Sequence, residues 1–191
     1  MKKDVLIALT GSIGAGKSMA AKAFAACGAR VFDADALSKK VLFEDAEAKA
    51  QVRNLLGDCC FDGDAPNAKK IAEIVFADAE KLAALEKIIH PKVGKLWRRA
   101  CAGGGVCVVE IPLLFEKNLE KEFDFCVSVF CSEKVRRERL LQRGLSDSEI
   151  DGRSKFQMPQ AEKVARSHSA FFNDGSADFL KAQVQVFLSR L

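Results

Sequence analysis

The seven cysteines (27, 59, 60, 101, 107, 126 and 131) form no C-x-x-C pair and no Cys/His cluster of zinc-binding spacing, which excludes a zinc module. Their odd number and scatter argue against a disulfide framework and for free thiols in a reducing cytoplasm, packed as small hydrophobes. No basic tail or block of like charge appears, and 30 basic against 26 acidic residues leave only +4. That mild excess suits an anionic small molecule and falls far short of the basic face of a nucleic-acid binder. The first apolar run, Val5–Leu9, is too short for a signal-peptide core or a membrane span, so no targeting and no membrane are expected. Internal repeats and low-complexity segments are absent. No N-K-x-D tetrad appears either, as a guanine-reading GTPase switch would need, and a mechanical or nucleic-acid ATPase would call for a longer, more basic chain.

What the chain does have is 191 residues, 49% hydrophobic and 29% charged, enough for one core and a small subdomain. Apolar runs of strand length alternate with helical patterns, predicting an α/β fold with a mostly parallel sheet. The strand candidates are Val5–Leu9, Arg30–Phe32, Val106–Ile111 and Phe123–Phe130, with Ala170–Phe172 as a weaker fifth. Between about 45 and 100 the strand signal vanishes. There, Leu82, Leu85, Ile88 and Ile89 line one helical face over Ala79–Ile89, and His90-Pro91 predicts a break before a second helix carrying Val93, Leu96 and Trp97. This helical insertion reads as an acceptor-binding subdomain or, alternatively, as a structural crossover. The expected division is a core of 1–44 and 101–191 with a subdomain of 45–100.

After the fourth strand, Ser132 can cap a helix running to Arg143, with Gly144 closing it, and Ser146-x-x-Glu149 reads as a capping box opening another. Arg136, Arg139 and Arg143 share a face of the first of these helices. The segment of about 132–160 is therefore either a cationic lid or a solvated basic face. A last helix over Ala177–Leu188 carries a packing stripe.

The chemistry is concentrated in Thr10-Gly11-Ser12-Ile13-Gly14-Ala15-Gly16-Lys17-Ser18-Met19. Gly11-x-x-x-x-Gly16-Lys17-Ser18, set between a strand and a helix, has the spacing of a P-loop. Glycines let backbone N–H groups approach phosphate oxygens, and the helix N-terminus adds unpaired donors and partial positive charge. Lys17 supplies a mobile charge for the β- and γ-phosphates, and the Ser18 hydroxyl can ligate magnesium. The chain is thus expected to bind a nucleoside triphosphate.

Phosphoryl transfer also needs an oriented acceptor and often a base. Asp33-Ala34-Asp35 lies just past the second strand, and an extended chain there would turn both carboxylates the same way. One could take a proton from an acceptor hydroxyl; equally, Asp35 could be the N-cap of a helix over Ala36–Leu42. Glu110 stands where a Walker-B-like carboxylate would, and Pro112 begins an apolar turn suited to the floor of a ligand site. His90 reads as a structural junction or a functional group.

Together these segments resemble the dephospho-coenzyme A kinase family. The matching pieces are Thr10–Ser18, Asp33-Ala34-Asp35, Ile89-His90-Pro91, Ile111-Pro112-Leu113-Leu114-Phe115-Glu116, Arg139–Arg143, Gln157-x-Pro159 and Asn173-x-Gly175. They follow the family's order over essentially the whole chain, and D-A-D with H-P and P-L-L-F-E is far more specific than the loop alone. The resemblance implies a three-layer P-loop kinase core with a five-stranded parallel sheet, a helical acceptor-binding insertion and a helical lid. It implies ATP and dephospho-coenzyme A as substrates, Mg2+ as cofactor, and phosphorylation of the ribose 3′-hydroxyl. By match of position, Asp35 is the general base, Lys17 the phosphate clamp and Arg143 the lid arginine, with Arg139 on the nucleotide. Thr10, Asp33, His90 and the Pro112-Leu113-Leu114 turn would shape the acceptor site, and Asn173 would lie by the adenine. The chain departs from the family in Ser167-His168 for Ala-Asp, Ala68 for an arginine and Met19 for a threonine. Another small-molecule or nucleoside monophosphate P-loop kinase is the alternative.

Overall fold

The computed structural model describes residues 4–191; Lys2 and Lys3, ahead of the first apolar run, lie outside the described residues. In chain order the elements begin with β1 (Asp4–Thr10), α1 (Lys17–Ala26) and β2 (Arg30–Asp33). Next come α2 (Ala34–Glu44), α3 (Ala46–Leu56), β3 (Phe61–Asp62), β4 (Ala65–Pro66), α4 (Ala68–Ala77) and α5 (Ala79–Cys101). The chain finishes with β5 (Gly105–Glu110), β6 (Phe125–Phe130), α6 (Glu133–Gln142), α7 (Asp147–Ser154), α8 (Gln160–Arg166), β7 (Ser169–Phe172) and α9 (Ala177–Leu188). It divides into two compact units, one running to Asp33 and resuming at Cys101, the other comprising Ala34–Ala100.

In the first unit the five strands form one parallel sheet in the order β2-β5-β1-β6-β7. β1 takes the centre because it is apolar on both faces, and Ile7–Thr10 are all buried. Pleating sends alternate side chains to opposite layers. Ile7, Leu9, Val127 and Val129 join Ala20, Phe24, Leu180 and Val184 in the cluster that α1 and α9 cover. Ser128, between Val127 and Val129, points the other way and donates from its hydroxyl to the Lys163 carbonyl of α8, 3.1 Å away. Helices therefore flank both faces, giving the three-layer α/β core. Phe24 anchors α1: it is fully buried and meets Phe187 edge-to-face at 6.2 Å between ring centroids.

The second unit has its own core of Val52, Leu56, Cys60, Phe61, Ile71 and Val75, against which Leu82, Leu85 and Ile88 pack. Asp45 caps α3 by accepting from the Ala48 N–H, and Asn67 caps α4 from the Lys70 N–H. Lys92 of α5 ties to Asp45 at 2.9 Å and Glu47 at 2.7 Å. Unit division falls after Asp33 rather than after residue 44, since α2 packs with α3 and β4.

Three expectations need correction. The helix does not break at His90-Pro91: α5 runs unbroken through Pro91. Ile89, Val93 and Trp97, each four residues on, are all buried. Burial is worth about 1.5–3 kcal/mol for such a side chain, and three together outweigh the cost of about 3 kcal/mol for a proline inside a helix. Strand is also present between 45 and 100, as the antiparallel β3–β4 pair, too short to leave a periodic signal. Finally, Cys101 and Cys107 form a disulfide with Cα atoms 5.9 Å apart, because Gly103, Gly104 and Gly105 all take positive φ and reverse the chain between them. Cys27, Cys59, Cys60, Cys126 and Cys131 are free. Burial, followed by the nearby Glu120 charge, pushes the Cys126 thiol up to about 11, so it packs as an inert hydrophobe.

Candidate active site

β1 ends at Thr10 and the chain turns through Gly11, Gly14 and Gly16 at φ of 146°, 81° and 97° before α1 begins at Lys17. These angles favour glycine, and space is a second reason. A Cβ on Gly11 would run into the Val129 carbonyl, and one on Gly16 into the Asn173 side-chain amide. The Lys17 ammonium folds back over the loop, donating to the Gly11 carbonyl at 2.9 Å and the Ser12 carbonyl at 3.3 Å. Ser18, one residue into α1, places its hydroxyl 3.5 Å from Glu110 Oε1.

Parallel register brings more carboxylate to the same end of the sheet. Glu110, last residue of β5, pairs with Leu9 of β1 on one side and with Asp33, last residue of β2, on the other. Thr10, Asp33 and Glu110 thus stand at the carboxyl ends of three adjacent strands, where ligands bind in open α/β sheets. Glu110 is the residue whose part is larger than one acidic side chain after an apolar run could indicate; only strand register pairs it with both neighbours.

The apolar turn after β5 is held from two sides. The Thr10 hydroxyl, fully buried, donates to the Pro112 carbonyl at 3.3 Å, and the Lys163 ammonium donates to the same oxygen at 2.7 Å. Leu113 is half-buried, but Leu114 is wholly buried, so it supports the turn from beneath. Lys163 also pairs with Glu116 at 2.8 Å. Burial pulls the Lys163 ammonium below the usual lysine range, against the opposing pull of Glu116. For Glu116, burial acts upward, yet the Lys163 ammonium and the Met158 amide outweigh it and leave the carboxyl below the usual glutamate range. The stability from this shift is present above the unfolded glutamate value and lost as pH falls through the folded one.

Arg136 and Arg139 on α6 and Arg143 at its C-cap each have a different setting. Arg136 is buried, forms a two-pronged contact with Glu133 at 2.6 and 2.8 Å, and reaches the Ser154 hydroxyl at 3.1 Å and the Ile13 carbonyl at 3.5 Å. It braces the loop and α7 from below. Arg139 donates to the Asn173 carbonyl at 2.8 Å, and Arg143, at the C-cap, is exposed. The capping box of α7 is formed by Ser146 and Glu149. Gln157 joins this region to the phosphate loop by accepting from the Ile13 N–H at 2.9 Å.

Asn173 is 1% exposed and donates from its amide to the Ala15 carbonyl at 2.8 Å. It bears directly on the loop, beside Met19, whose sulfur is 4.0 Å from the same amide nitrogen. The Ser167-His168 departure is accommodated locally: His168 Nδ1 accepts the Cys126 N–H at 2.9 Å, which fixes the proton on Nε2. His168→Ala should leave that N–H, on a fully buried residue, without its acceptor, costing about 1–3 kcal/mol. Thermal unfolding should show a drop of a few degrees, with His168→Asp restoring it and activity unchanged in both. An unaltered melting temperature in the alanine variant would contradict this.

Asp35 and His90 belong to the second unit. α2 begins at Ala34, so Asp35 lies inside its first turn, neither extended alongside Asp33 nor at the cap. An acidic side chain there complements the helix dipole. His90 is exposed on α5, one residue ahead of Pro91. Among the described residues, no group of three or more His, Cys, Asp or Glu side chains could hold a metal ion, and no helix is long and apolar enough to cross a membrane.

A five-stranded parallel sheet whose central strand enters a Gly-x-x-x-x-Gly-Lys-Ser turn, with carboxylates at the ends of the neighbouring strands, defines a P-loop kinase core. The family model described as Dephospho-CoA kinase matches residues 5–178, and the chain belongs to the dephospho-CoA kinase family. A relative of that name from Chlorobaculum tepidum is 36% identical over 98% of this chain and 95% of its own length. A solved structure from Thermus thermophilus is 32% identical with a TM-score of 0.87, covering 100% of this chain and 99% of its own. The dephospho-CoA kinase from Campylobacter jejuni is 26% identical with a TM-score of 0.61, covering 96% of each chain.

Proposed function

We propose that this protein transfers the γ-phosphoryl group of ATP to the ribose 3′-hydroxyl of dephospho-coenzyme A, releasing coenzyme A and ADP. The observation that carries the reading is the phosphate loop opening, with Lys17 and Ser18, beside Glu110 and Asp33 at the ends of adjacent strands, in a chain of this family. The loop amides and the α1 N-terminus hold the β- and γ-phosphates, and Lys17 moves from the Gly11 and Ser12 carbonyls onto them. Asp35 accepts the proton of the 3′-hydroxyl as its oxygen attacks phosphorus and the bond to ADP breaks. Arg143 and Arg139 neutralise charge on the nucleotide. Asp33, His90, Thr10 and the Pro112–Leu114 turn shape the acceptor site, residues 34–100 forming its subdomain and about 132–160 the lid. Asn173 acts on the nucleotide through the loop it supports.

Magnesium fits the oxygen donors present. Ser18 and Glu110 would hold it together with substrate phosphates, since this hard cation is bound by one or two protein oxygens rather than a full protein cage. When bound, it would supply positive charge that offsets that of the phosphates. We place the enzyme in the cytoplasm, where ATP is available; five of its cysteines are free thiols and the Cys101–Cys107 pair is the exception.

The test is ADP release measured with a panel of acceptors. Dephospho-coenzyme A should stimulate turnover, while adenosine, nucleoside monophosphates and shikimate should not. Stimulation by one of the others instead would make this a different small-molecule kinase.

A further inference from the structure

The buried ion pair between Lys163 and Glu116 lies outside the phosphate loop, yet it holds the turn that follows β5. Lys163 projects from α8 and is 1% exposed, an unusual place for an ammonium. All its polar contacts serve that turn: the Pro112 carbonyl at 2.7 Å and the Glu116 carboxylate at 2.8 and 3.2 Å. Its base is rigid. Ser128 and Ser167 donate to the Lys163 carbonyl, and Gln160 exchanges two hydrogen bonds with the backbone of Cys131 at the end of β6.

The carboxylate of Glu116 extends the network, accepting the Met158 N–H at 2.7 Å. Met158 follows Gln157, which holds the Ile13 amide of the phosphate loop. Thr10, the residue before that loop, shares the Pro112 carbonyl with Lys163. A ring of hydrogen bonds therefore links the end of β1, the Pro112–Glu116 turn, α8 and the 157–158 connection. The Lys163 ammonium ties the turn to α8, and the Glu116 carboxylate that it pairs with ties the turn to the 157–158 connection. An apolar side chain at 163 could fill the space but could not grip a carbonyl oxygen.

We propose that Lys163 and Glu116 are positioning residues that hold the Pro112–Leu114 turn in the geometry needed to seat the acceptor. This rests on the assignment of that turn to the acceptor site. Because Thr10 remains bonded to Pro112 and Gln157 to Ile13, loss of the pair should affect the acceptor far more than ATP.

Lys163→Met alone would strand a buried carboxylate, so the informative protein is Lys163→Met combined with Glu116→Leu, which removes both charges and keeps the volume apolar. A dephospho-coenzyme A KM raised about ten-fold, from displacement of a substrate-positioning turn, is expected, with the KM for ATP within about two-fold of the parent. Glu116→Gln, which keeps shape and drops the charge facing Lys163, should raise the acceptor KM in the same direction but less. Melting curves report folding of each variant. An acceptor KM unchanged in the folded variants, or a KM for ATP rising in step with it, overturns the proposal; should the double variant not fold, Glu116→Gln decides by the same criteria. Failure of the functional reading is separately visible, since the unsubstituted enzyme would then show no turnover with dephospho-coenzyme A.

Discussion

Lys17→Ala is expected to reduce kcat/KM by roughly 10²–10³-fold, the scale found for removing one pre-placed charge stabiliser of a transition state. In the structure the ammonium donates to carbonyl oxygens of its own loop, at 2.9 and 3.3 Å. An ammonium there offsets the electrostatic cost of those inward-facing carbonyls and can transfer to phosphate oxygens with little motion. Both the KM for ATP and kcat should suffer, because in the proposed role the charge would contact the ground-state phosphates and stabilise the group in flight. Lys17→Arg should recover little, since a planar guanidinium cannot replace a compact ammonium in so tight a bend. Steady-state kinetics alongside calorimetric ATP binding distinguish the two components. An enzyme with unchanged ATP affinity and rate would remove the phosphate-clamp assignment.

The second large effect concerns Asp35. Asp35→Asn is expected to lower kcat by about 10²-fold or more while leaving ATP binding nearly intact, as befits loss of a general base. Such a drop corresponds to about 2.7 kcal/mol of transition-state stabilisation. The structural cost is smaller: an acidic side chain in the first turn of α2 contributes about 0.3–1 kcal/mol through the helix dipole. A folded variant with a collapsed rate would therefore be a chemical defect. Asp33→Asn is the control, because Asp33 lies at the end of β2, paired in register with Glu110. If Asp33→Asn shows the large kcat loss and Asp35→Asn retains near-parent turnover, the base is Asp33.

β1, β5 and β6 were legible because each is a short apolar run bounded by glycine, proline or a capping residue, whereas β2 and β7 are shorter and less apolar. β1 and β6 differ from the expected Val5–Leu9 and Phe123–Phe130 only at their ends. Ser132, Ser146 and Glu149 marked their helix starts for a local reason, since a cap bonds to amides two or three residues away. α5 misled where a local rule met long-range packing. The proline at 91 predicts an interruption, and a buried stripe on both sides of it prevents one. The disulfide was hidden for a related reason, as three consecutive glycines allow a reversal whose path the spacing of cysteines does not reveal.

By itself the sequence determined the alternating α/β order, the phosphate loop, the helix caps at Ser132 and Ser146 and the family, because these depend on residue type at fixed short spacing. Tertiary structure alone decided which strands are neighbours, and hence that Glu110 stands between Leu9 and Asp33. It also decided that Asn173 reaches the loop from far along the chain, that Arg136 is buried, and that Lys163 grips the Pro112 turn. Burial and ion pairing are properties of residues brought together across the chain, and no local pattern records which distant partner will arrive.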